Sequence, residues 1–342
     1  MKEILGWTLL SFLTTSILLV PYINFLYKIR FQRQVQKTVD VFEKPTPIFD
    51  RLHRWKAGTP VGGGLLIVLV VSLLTLGLIL FIQFSGEKIK SAYPFEKEIF
   101  ILLFTFLSFA LLGLYDDIRK TFGLAKKFWG ISFRYKFLIQ WVFALFIAYY
   151  LYQFLGIDIL NIPRLGFFDL GWVYVPFAAF VIVSFTNAVN ITDGLDGLAA
   201  GLLIICLLVF LVISRTALDT SLSIFIGLWI GALIAVLYFN IFPARIWLGD
   251  VGALSFGATL AVIGLLLGKI IALTVIGGIF VVEVSSSAVQ LLSKQLRGKK
   301  VFEVAPIHLW FQNRGWEEPK VVMRFWLAGA IFAIFGLWLA LT

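Results

Sequence analysis

Five aspartates stand in three polar motifs, and each motif borders a long apolar run. The motifs are GLYDDIRK at 113–120, NAVNITDGLDGLAAG at 187–201 and FPARIWLGDVGALSFG at 242–257. They carry Asp116, Asp117, Asp193, Asp196 and Asp250. Acids near membrane depth are costly and usually functional. A solvated loop acid or a helix N-cap would explain any single one, but five acids from three motifs, most with glycine beside them, indicate a shared site.

The first and third motifs carry the residue types of proton transfer and metal binding. Asp116 and Asp117 are neighbouring carboxylates that repel, so one of them holds a proton or the pair shares a cation. Such a pair suits a general base or a Mg²⁺ ligand. Asp250 lies between Gly249 and Gly252, which allow close backbone approach, and a helix start here would attract phosphate. A simple N-cap is the alternative role for Asp250.

The second motif spaces its polar residues by three. These residues are Asn187, Asn190, Asp193 and Asp196. Across three such steps a straight helix rotates by roughly half a turn. All four can face one site only if the helix ends or tightens here, which Gly194 and Gly197 favour. The amides could bind ribose, uracil or sugar hydroxyls, and the carboxylates a metal or hydroxyls.

The remaining candidates are basic. Three lysines are candidate partners of the acidic motifs: Lys56 in KAGTPVGGG, Lys120 beside the aspartate pair, and Lys136. The glycine-rich run lacks the G-x-x-x-x-G-K-[ST] pattern of a phosphate loop. The chain has only two histidines, His53 and His308, which argues against zinc. Carboxylates, lysines and glycine turns fit Mg²⁺-dependent phosphoryl chemistry on an anionic substrate best.

The composition indicates an integral membrane protein. Of 342 residues, 60% are hydrophobic and 14% charged, and the mean hydropathy is +0.96. Soluble domains are nearer half apolar and a quarter charged. The apolar runs near 20 residues suit helices that cross a bilayer, and they lack the alternation of barrel strands. The lone Cys206 excludes a disulfide framework and a cysteine-based metal site.

The apolar runs predict ten transmembrane helices, so we expect an all-α membrane protein in which 1–342 form one polytopic domain. The predicted spans are 4–27, 60–84, 98–115, 137–155, 172–189, 198–214, 222–239, 251–268, 270–290 and 321–341. The first run is longer than the apolar core of a signal peptide, so it is expected to be retained. A broken helix within 251–290 is the open alternative.

The basic residues predict the orientation. Alternate connecting segments form one set that holds 21 of the 29 Lys and Arg, whereas the other set, with the N-terminus, holds 7 and Arg324 lies in the last predicted span. The rich set is 28–59, 116–136, 190–197, 240–250 and 291–320. Basic loops face the cytoplasm, so the acidic motifs are expected there and both termini outside. The same basic loops account for the net charge of +10. They suit a surface of anionic lipid, so the charge does not require a nucleic-acid partner.

On these motifs the chain resembles the polyprenyl-phosphate N-acetylhexosamine-1-phosphate transferases. The resemblance runs from KAGTPVGGG to PKVVMRFW, about four-fifths of the chain, and covers all three acidic motifs. EVSSSAVQ and the segment 301–326 are more similar to the muramoyl branch of the family than to its N-acetylglucosamine branch.

The resemblance implies a fold, a reaction and partners. It implies ten transmembrane helices and a cytoplasmic active-site cleft in the bacterial inner membrane. Phospho-N-acetylmuramoyl-pentapeptide would pass from its UDP carrier (UDP-MurNAc-pentapeptide) to undecaprenyl phosphate, giving lipid I and UMP with Mg²⁺ as cofactor. Family members often form dimers, so the resemblance leaves a homodimer open.

The resemblance also implies roles for individual residues. Asp116 would deprotonate or position the lipid phosphate, Asp117 would support it, and Asp250 would bind the metal. The implied substrate-binding residues are Lys56, Thr59, Lys120, Lys136, Asn187, Asn190, Asp193, Asp196 and His308. The family's three consecutive histidines are reduced to the first in His308-Leu309-Trp310, which leaves altered sugar or peptide recognition open.

Two other functions stay open from the sequence. An N-acetylglucosamine-1-phosphate transferase for another glycan would share the acidic motifs, but the segment 301–326 favours the muramoyl substrate. A transporter or lipid-binding protein should bury acids near the bilayer midplane, commonly in repeated halves. The key acids here lie at one predicted membrane face, and no repeat is visible.

Overall fold

The computed structural model describes residues 1–32, 45–86, 89–122 and 133–342, which form a bundle of helices. Within these ranges nine helices are each long and apolar enough to cross a membrane. They are α1 (Lys2–Lys28), α3 (Gly63–Ser85), α4 (Phe95–Phe122), α5 (Phe133–Leu155), α6 (Tyr174–Thr192), α7 (Leu198–Thr216), α8 (Thr220–Asn240), α9 (Gly249–Leu266) and α13 (Glu318–Leu341). The prediction of a helical, multi-pass membrane protein is confirmed.

The tenth apolar segment, predicted as a span at 270–290, is broken, which is the alternative that the sequence left open within 251–290. It consists of α10 (Ile270–Ile276) and α11 (Gly278–Arg297), which meet at a bend of 80°. Two adjacent glycines at 277 and 278 weaken the helix at this point. A Cβ on Gly278 would lie 2.8 Å from the ring of Phe332 on α13, so the bend also allows close helix packing.

Short elements occupy segments that the sequence predicted as connections. They are α2 (Pro47–His53) with a following 3₁₀ turn, α12 (Ile307–Asn313), and an antiparallel hairpin of β1 (Ile159–Ile162) and β2 (Gly166–Asp169). The hairpin was not anticipated by the all-α prediction. The parts of the predicted connections at 33–44, 87–88 and 123–132 lie outside the described residues.

Helix α9 forms the centre of the bundle and packs against α3, α4 and α6. Its sequence is rich in glycine, alanine and serine, which let neighbouring backbones approach closely. A Cβ at Gly113 of α4 would lie 2.2 Å from the carbonyl oxygen of Asp250. Because a side chain cannot fit there, glycine at 113 is what brings α4 against the first turn of α9.

Candidate functional site

Four charged side chains from α4, α5 and α9 form what we call the lysine–aspartate cluster: Asp116, Lys120, Lys136 and Asp250. Nζ of Lys120 lies 2.9 Å from Oδ2 of Asp116 and 2.8 Å from Oδ2 of Asp250. Nζ of Lys136 lies 2.9 Å from the same oxygen of Asp116 and also pairs with Asp250. Two cations offset two anions, which lowers the cost of burying them.

Asp117 faces different partners from those of Asp116. Its Oδ2 accepts a hydrogen bond from the backbone N–H of Val251 at 3.0 Å. A carboxylate at the start of a helix satisfies free N–H groups and interacts favourably with the helix dipole. Asp117 therefore fixes the first turn of α9 against α4. Neighbouring side chains on a helix diverge by about 100°, which separates the two aspartates.

The glycine-rich run after Lys56 binds the chain that precedes α9. The N–H groups of Gly63 and Gly64 donate to the carbonyl oxygens of Trp247 and Leu248 at 2.8 and 2.9 Å. A Cβ on Gly64 would lie 2.3 Å from Cα of Gly252. These glycines act through close packing of α3 on α9, which agrees with the missing phosphate-loop pattern.

A second group, the Lys56 cluster, consists of Lys56, Asp196 and Glu318, all buried. Nζ of Lys56 donates to Oδ1 of Asp196 at 2.7 Å and to Glu318. Asp196 also accepts from the N–H of Ala244 at 2.9 Å and from the indole of Trp247 at 3.2 Å. Its own N–H donates to Glu318 at 2.7 Å. The cluster thus ties the α6–α7 turn to the start of α13.

The second acidic motif contains the helix end that its spacing required. Helix α6 ends at Thr192, Asp193 is its C-cap, and α7 begins after Gly197, whose φ of +78° favours glycine. Asn187 donates to Oε1 of Gln140 at 2.7 Å and to the carbonyl of Val183 at 2.8 Å. It therefore fastens α6 to α5.

A cavity of about 260 Å³ lies between the two clusters, and we call it the site cavity. Its polar lining comprises His53, Lys56, Asp117, Asn190, Asp193, Asp196, Asn240 and Asp250. The backbone N–H of Asp193 donates to the carbonyl of Val189 at 3.0 Å, but its carboxyl group makes no hydrogen bond or ion pair with any residue that the structure describes. Burial, followed by the negative charges of Asp250 and Asp117, raises the pKa of Asp193 to about 7. A carboxyl group in this setting favours a proton, a hydroxyl donor or a cation as partner.

The two histidines differ in their positions. His53 lines the site cavity with its ring 4.5 Å from that of Phe49, edge to face. Burial and then the charge of Lys56 lower the pKa of His53 to about 3, so it is neutral. Nδ1 of His308 lies 2.9 Å from Oε2 of buried Glu283. Its Nε2 is so close to Gly194 that a Cβ there would lie 2.6 Å away.

The predicted site residues fall into three groups. Those that line the site cavity are Lys56, Asp117, Asn190, Asp193, Asp196 and Asp250. Those that contact Asp250 from α4 and α5, directly or through each other, are Asp116, Lys120 and Lys136. Those outside the lining are Thr59, Asn187 and His308. The roles assigned to all of them stay predictions.

Sequence reasoning missed several participants. Glu318 is 262 positions from Lys56 in the chain, so no local pattern connects them. Trp247 lies within the third acidic motif, and a buried indole N–H needs a partner, which is a signal that could have singled it out. Glu283 and His53 carry no comparable sequence signal.

The donor chemistry of the site cavity fits Mg²⁺. No group of three or more His, Cys, Asp or Glu side chains in the described part of the chain could hold a metal ion unaided. Asp250 nevertheless lines the cavity together with Asp117 and Asp193. Mg²⁺ prefers one or two carboxylates completed by water and substrate phosphates over a cage made only of protein groups.

Fold and site together define a multi-pass membrane protein with a carboxylate-rich cavity at one end of its helix bundle. The profile of the family described as Glycosyl transferase family 4 matches residues 99–268. The chain belongs to the phospho-N-acetylmuramoyl-pentapeptide-transferase family, a group of bacterial transferases. It is 33% identical to relatives of that name from Bacillus pumilus and Bacillus subtilis, over 99% of this chain and 98% of each relative. It is 35% identical to one from Clostridium perfringens over 94% of both chains.

Proposed function

We propose that the protein transfers phospho-N-acetylmuramoyl-pentapeptide from its UDP carrier to undecaprenyl phosphate, giving lipid I and UMP. The observation that carries the proposal is the site cavity, in which Asp117, Asp193 and Asp250 face one space. Two lysines contact Asp250 from neighbouring helices. The similarity to relatives named for this transfer, over nearly their whole length, supports the same reaction here.

Mg²⁺ is the proposed cofactor, and Asp250 is its proposed ligand. The carboxylates of the site cavity and a substrate diphosphate are all anionic, so they require a cation between them. The chemistry that Mg²⁺ supplies when bound is neutralisation of the charge on the phosphates. Asp117 contributes by holding the first turn of α9, which carries Asp250, through its bond to Val251.

In the proposed reaction an oxygen of the lipid phosphate attacks the sugar-linked phosphorus. The bond from that phosphorus to the bridging oxygen breaks, and its electron pair leaves with UMP. Asp116 takes the proton if the lipid phosphate arrives protonated, as its predicted role requires. Lys120 and Lys136 are placed to exchange carboxylate partners for phosphate oxygens. Positioning and charge stabilisation then account for most of the rate.

We further propose that the site faces the cytoplasm in the bacterial inner membrane. The site is built from the C-terminal ends of α4 and α6 and the N-terminal ends of α5 and α9. The same ends border the connecting segments that hold 21 of the 29 Lys and Arg, which favours a cytoplasmic position. Both termini would then lie outside. A homodimer remains a prediction.

The test is a transfer assay with purified protein, undecaprenyl phosphate and Mg²⁺. UDP-MurNAc-pentapeptide and UDP-N-acetylglucosamine are offered separately, and released UMP is measured with and without a chelator. We expect turnover of the first nucleotide only, lost on chelation. Turnover of the second alone would reassign the protein to another glycan, and turnover of neither by folded protein would favour transport or lipid binding.

A further inference from the structure

A second cavity of about 420 Å³ opens beside the site cavity, and we call it the side cavity. Its walls are formed by 45–49 at the start of α2, Ile191 near the end of α6, the C-terminal half of α11, and residues between 300 and 309 that lead into α12. Phe49 and Ile191 line both cavities. A ligand bound at Asn190 and Asp193 could therefore continue past these two side chains into the side cavity.

The side cavity is held in shape by Gln290. Its Oε1 accepts from the N–H groups of Val301 and Phe302, each at 3.0 Å, and its Nε2 donates to the carbonyl of Phe302 at 2.8 Å. One buried side chain thus fastens the segment after α11 to α11 itself. A wall fixed in advance reduces the entropy cost of binding, which is typical of a ligand site.

The lining has the chemistry that a short peptide needs. Most of it is apolar, with Leu291 and Leu309 among the side chains. The buried hydroxyl of Ser287 has no partner among the described residues. Lys294, Lys300 and Glu303 also line the cavity. Glu303 already has Asn313 and Arg314 as partners, and a lysine ammonium binds carboxylates strongly. Apolar walls with a few placed polar groups are usual for binding sites of this size.

We infer that the side cavity binds the peptide stem of the sugar nucleotide, with a carboxylate of the stem at Lys300. This inference rests on the proposed function, in which the nucleotide and sugar occupy the site cavity. The stem leaves the sugar beside Phe49 and Ile191 and places its amides near Ser287. The isoprenoid tail of the lipid substrate fits less well, because it would desolvate the lysines and the Ser287 hydroxyl without bonding to them.

A substitution that fills the side cavity tests the inference. Leu291→Trp places a large ring in the cavity, whereas Leu292→Trp adds the same ring to a neighbouring position that is 55% exposed and outside the lining. We expect Leu291→Trp to lower kcat/KM for UDP-MurNAc-pentapeptide about tenfold, because the ring occupies space that the stem would fill. UDP-MurNAc without a peptide, measured as a substrate or as a competitive inhibitor, should bind both variants like the wild type.

The proposed contact at Lys300 is tested by a second variant and its control. Lys300→Ala should raise KM for the pentapeptide nucleotide several-fold and leave the peptide-free nucleotide unaffected, because one charge-assisted bond is lost. The adjacent Lys299→Ala, which changes a side chain outside the lining, should match the wild type for both nucleotides.

Each other outcome is distinguishable. If the wild type turns over neither nucleotide, the proposed function fails. If it turns over the pentapeptide nucleotide but binds the peptide-free one equally well, or if Leu291→Trp slows both alike, the function stands and the peptide site does not. A raised KM for undecaprenyl phosphate alone in Leu291→Trp would assign the side cavity to the lipid and overturn the inference.

Discussion

The lysine–aspartate cluster and the Lys56 cluster are both made of lysines and carboxylates, yet their carboxylates have different partners. Asp116 and Asp250 are bound by the ammonium groups of two lysines, and Lys120 is still 22% exposed. Asp196 is bound by one lysine, a backbone N–H and an indole, all fixed by the fold. Flexible lysines can turn to a substrate phosphate, whereas backbone donors cannot.

This difference in partners indicates a catalytic role for one cluster and a structural role for the other. A cluster whose partners are flexible charged side chains can exchange them for substrate at little structural cost. Asp196 also depends on backbone and ring donors, so replacing them would break hydrogen bonds that hold the fold, and each buried group left unpaired is costly. We therefore assign catalysis to the lysine–aspartate cluster and the fixing of the α6–α7 turn to the Lys56 cluster.

The largest expected effect tests the first assignment. Asp250→Asn keeps the shape of the side chain but removes the charge that binds Mg²⁺ and pairs with both lysines. We expect UMP release to fall on the order of a thousandfold, while the protein stays folded in detergent with a lowered unfolding temperature, because two lysines lose one of their carboxylate partners. Asp169→Asn, in the exposed hairpin, serves as the control. Near-normal Mg²⁺-dependent rates would refute the assignment of Asp250.

Lys56→Met should have the next largest effect, and on stability. It leaves Asp196 and Glu318 facing each other without their cation, which costs about 3–5 kcal/mol for a buried pair. The measurement is the unfolding temperature in detergent. Adding Glu318→Gln should recover part of the loss, because Asp196 keeps its bonds to Ala244 and Trp247. Unchanged stability with a large loss of rate would instead place Lys56 on the substrate, as the sequence predicted.

Asp193→Asn tests the carboxyl group that has no hydrogen-bond or ion-pair partner in either cluster. Its folded pKa of about 7 lies above the ordinary aspartate pKa of 3.8, so between these values the folded state holds a proton that the unfolded state has lost. The wild type therefore loses stability as pH rises from about 4 to 7. Asp193→Asn should remove this loss and be about 1–3 kcal/mol more stable above pH 7.

The check on Asp193 is the unfolding temperature measured across pH 5–8 for both proteins. The two curves should converge toward the acid end and separate toward the alkaline end. Parallel curves would mean that Asp193 is already ionised with a partner at pH 5. Asp169→Asn should run parallel to the wild type.

The smallest effect tests a single bond of the Lys56 cluster. Trp247→Phe keeps the ring but removes the N–H that donates to Asp196 at 3.2 Å. The expected destabilisation is about 1 kcal/mol, read from the unfolding temperature. Trp172→Phe, at a position 73% exposed, should have almost none. Equal effects would show that the indole bond contributes nothing to the turn.

The sequence predicted the membrane class and the spans because apolar runs and their lengths are local properties. It predicted a helix end in the second acidic motif because a spacing of three cannot keep Asn187 and Asp196 on one helical face. It did not predict that Asn187 faces Gln140, since that depends on how α6 packs on α5. It left a broken helix within 251–290 open but did not place the 80° bend between α10 and α11, because two adjacent glycines permit a bend without requiring one.

By itself, the amino-acid sequence determined which residues are available for phosphoryl chemistry: five aspartates in three motifs, three lysines and the glycines around them. Only the tertiary structure decided their partners. Asp116 and Asp117 are adjacent in the chain but bind lysines and a helix start respectively, and Lys56 meets Glu318 from the far end of the sequence. The physical reason is that ion pairs and caps form between side chains close in space, and in a helix bundle the packing of small residues sets those distances.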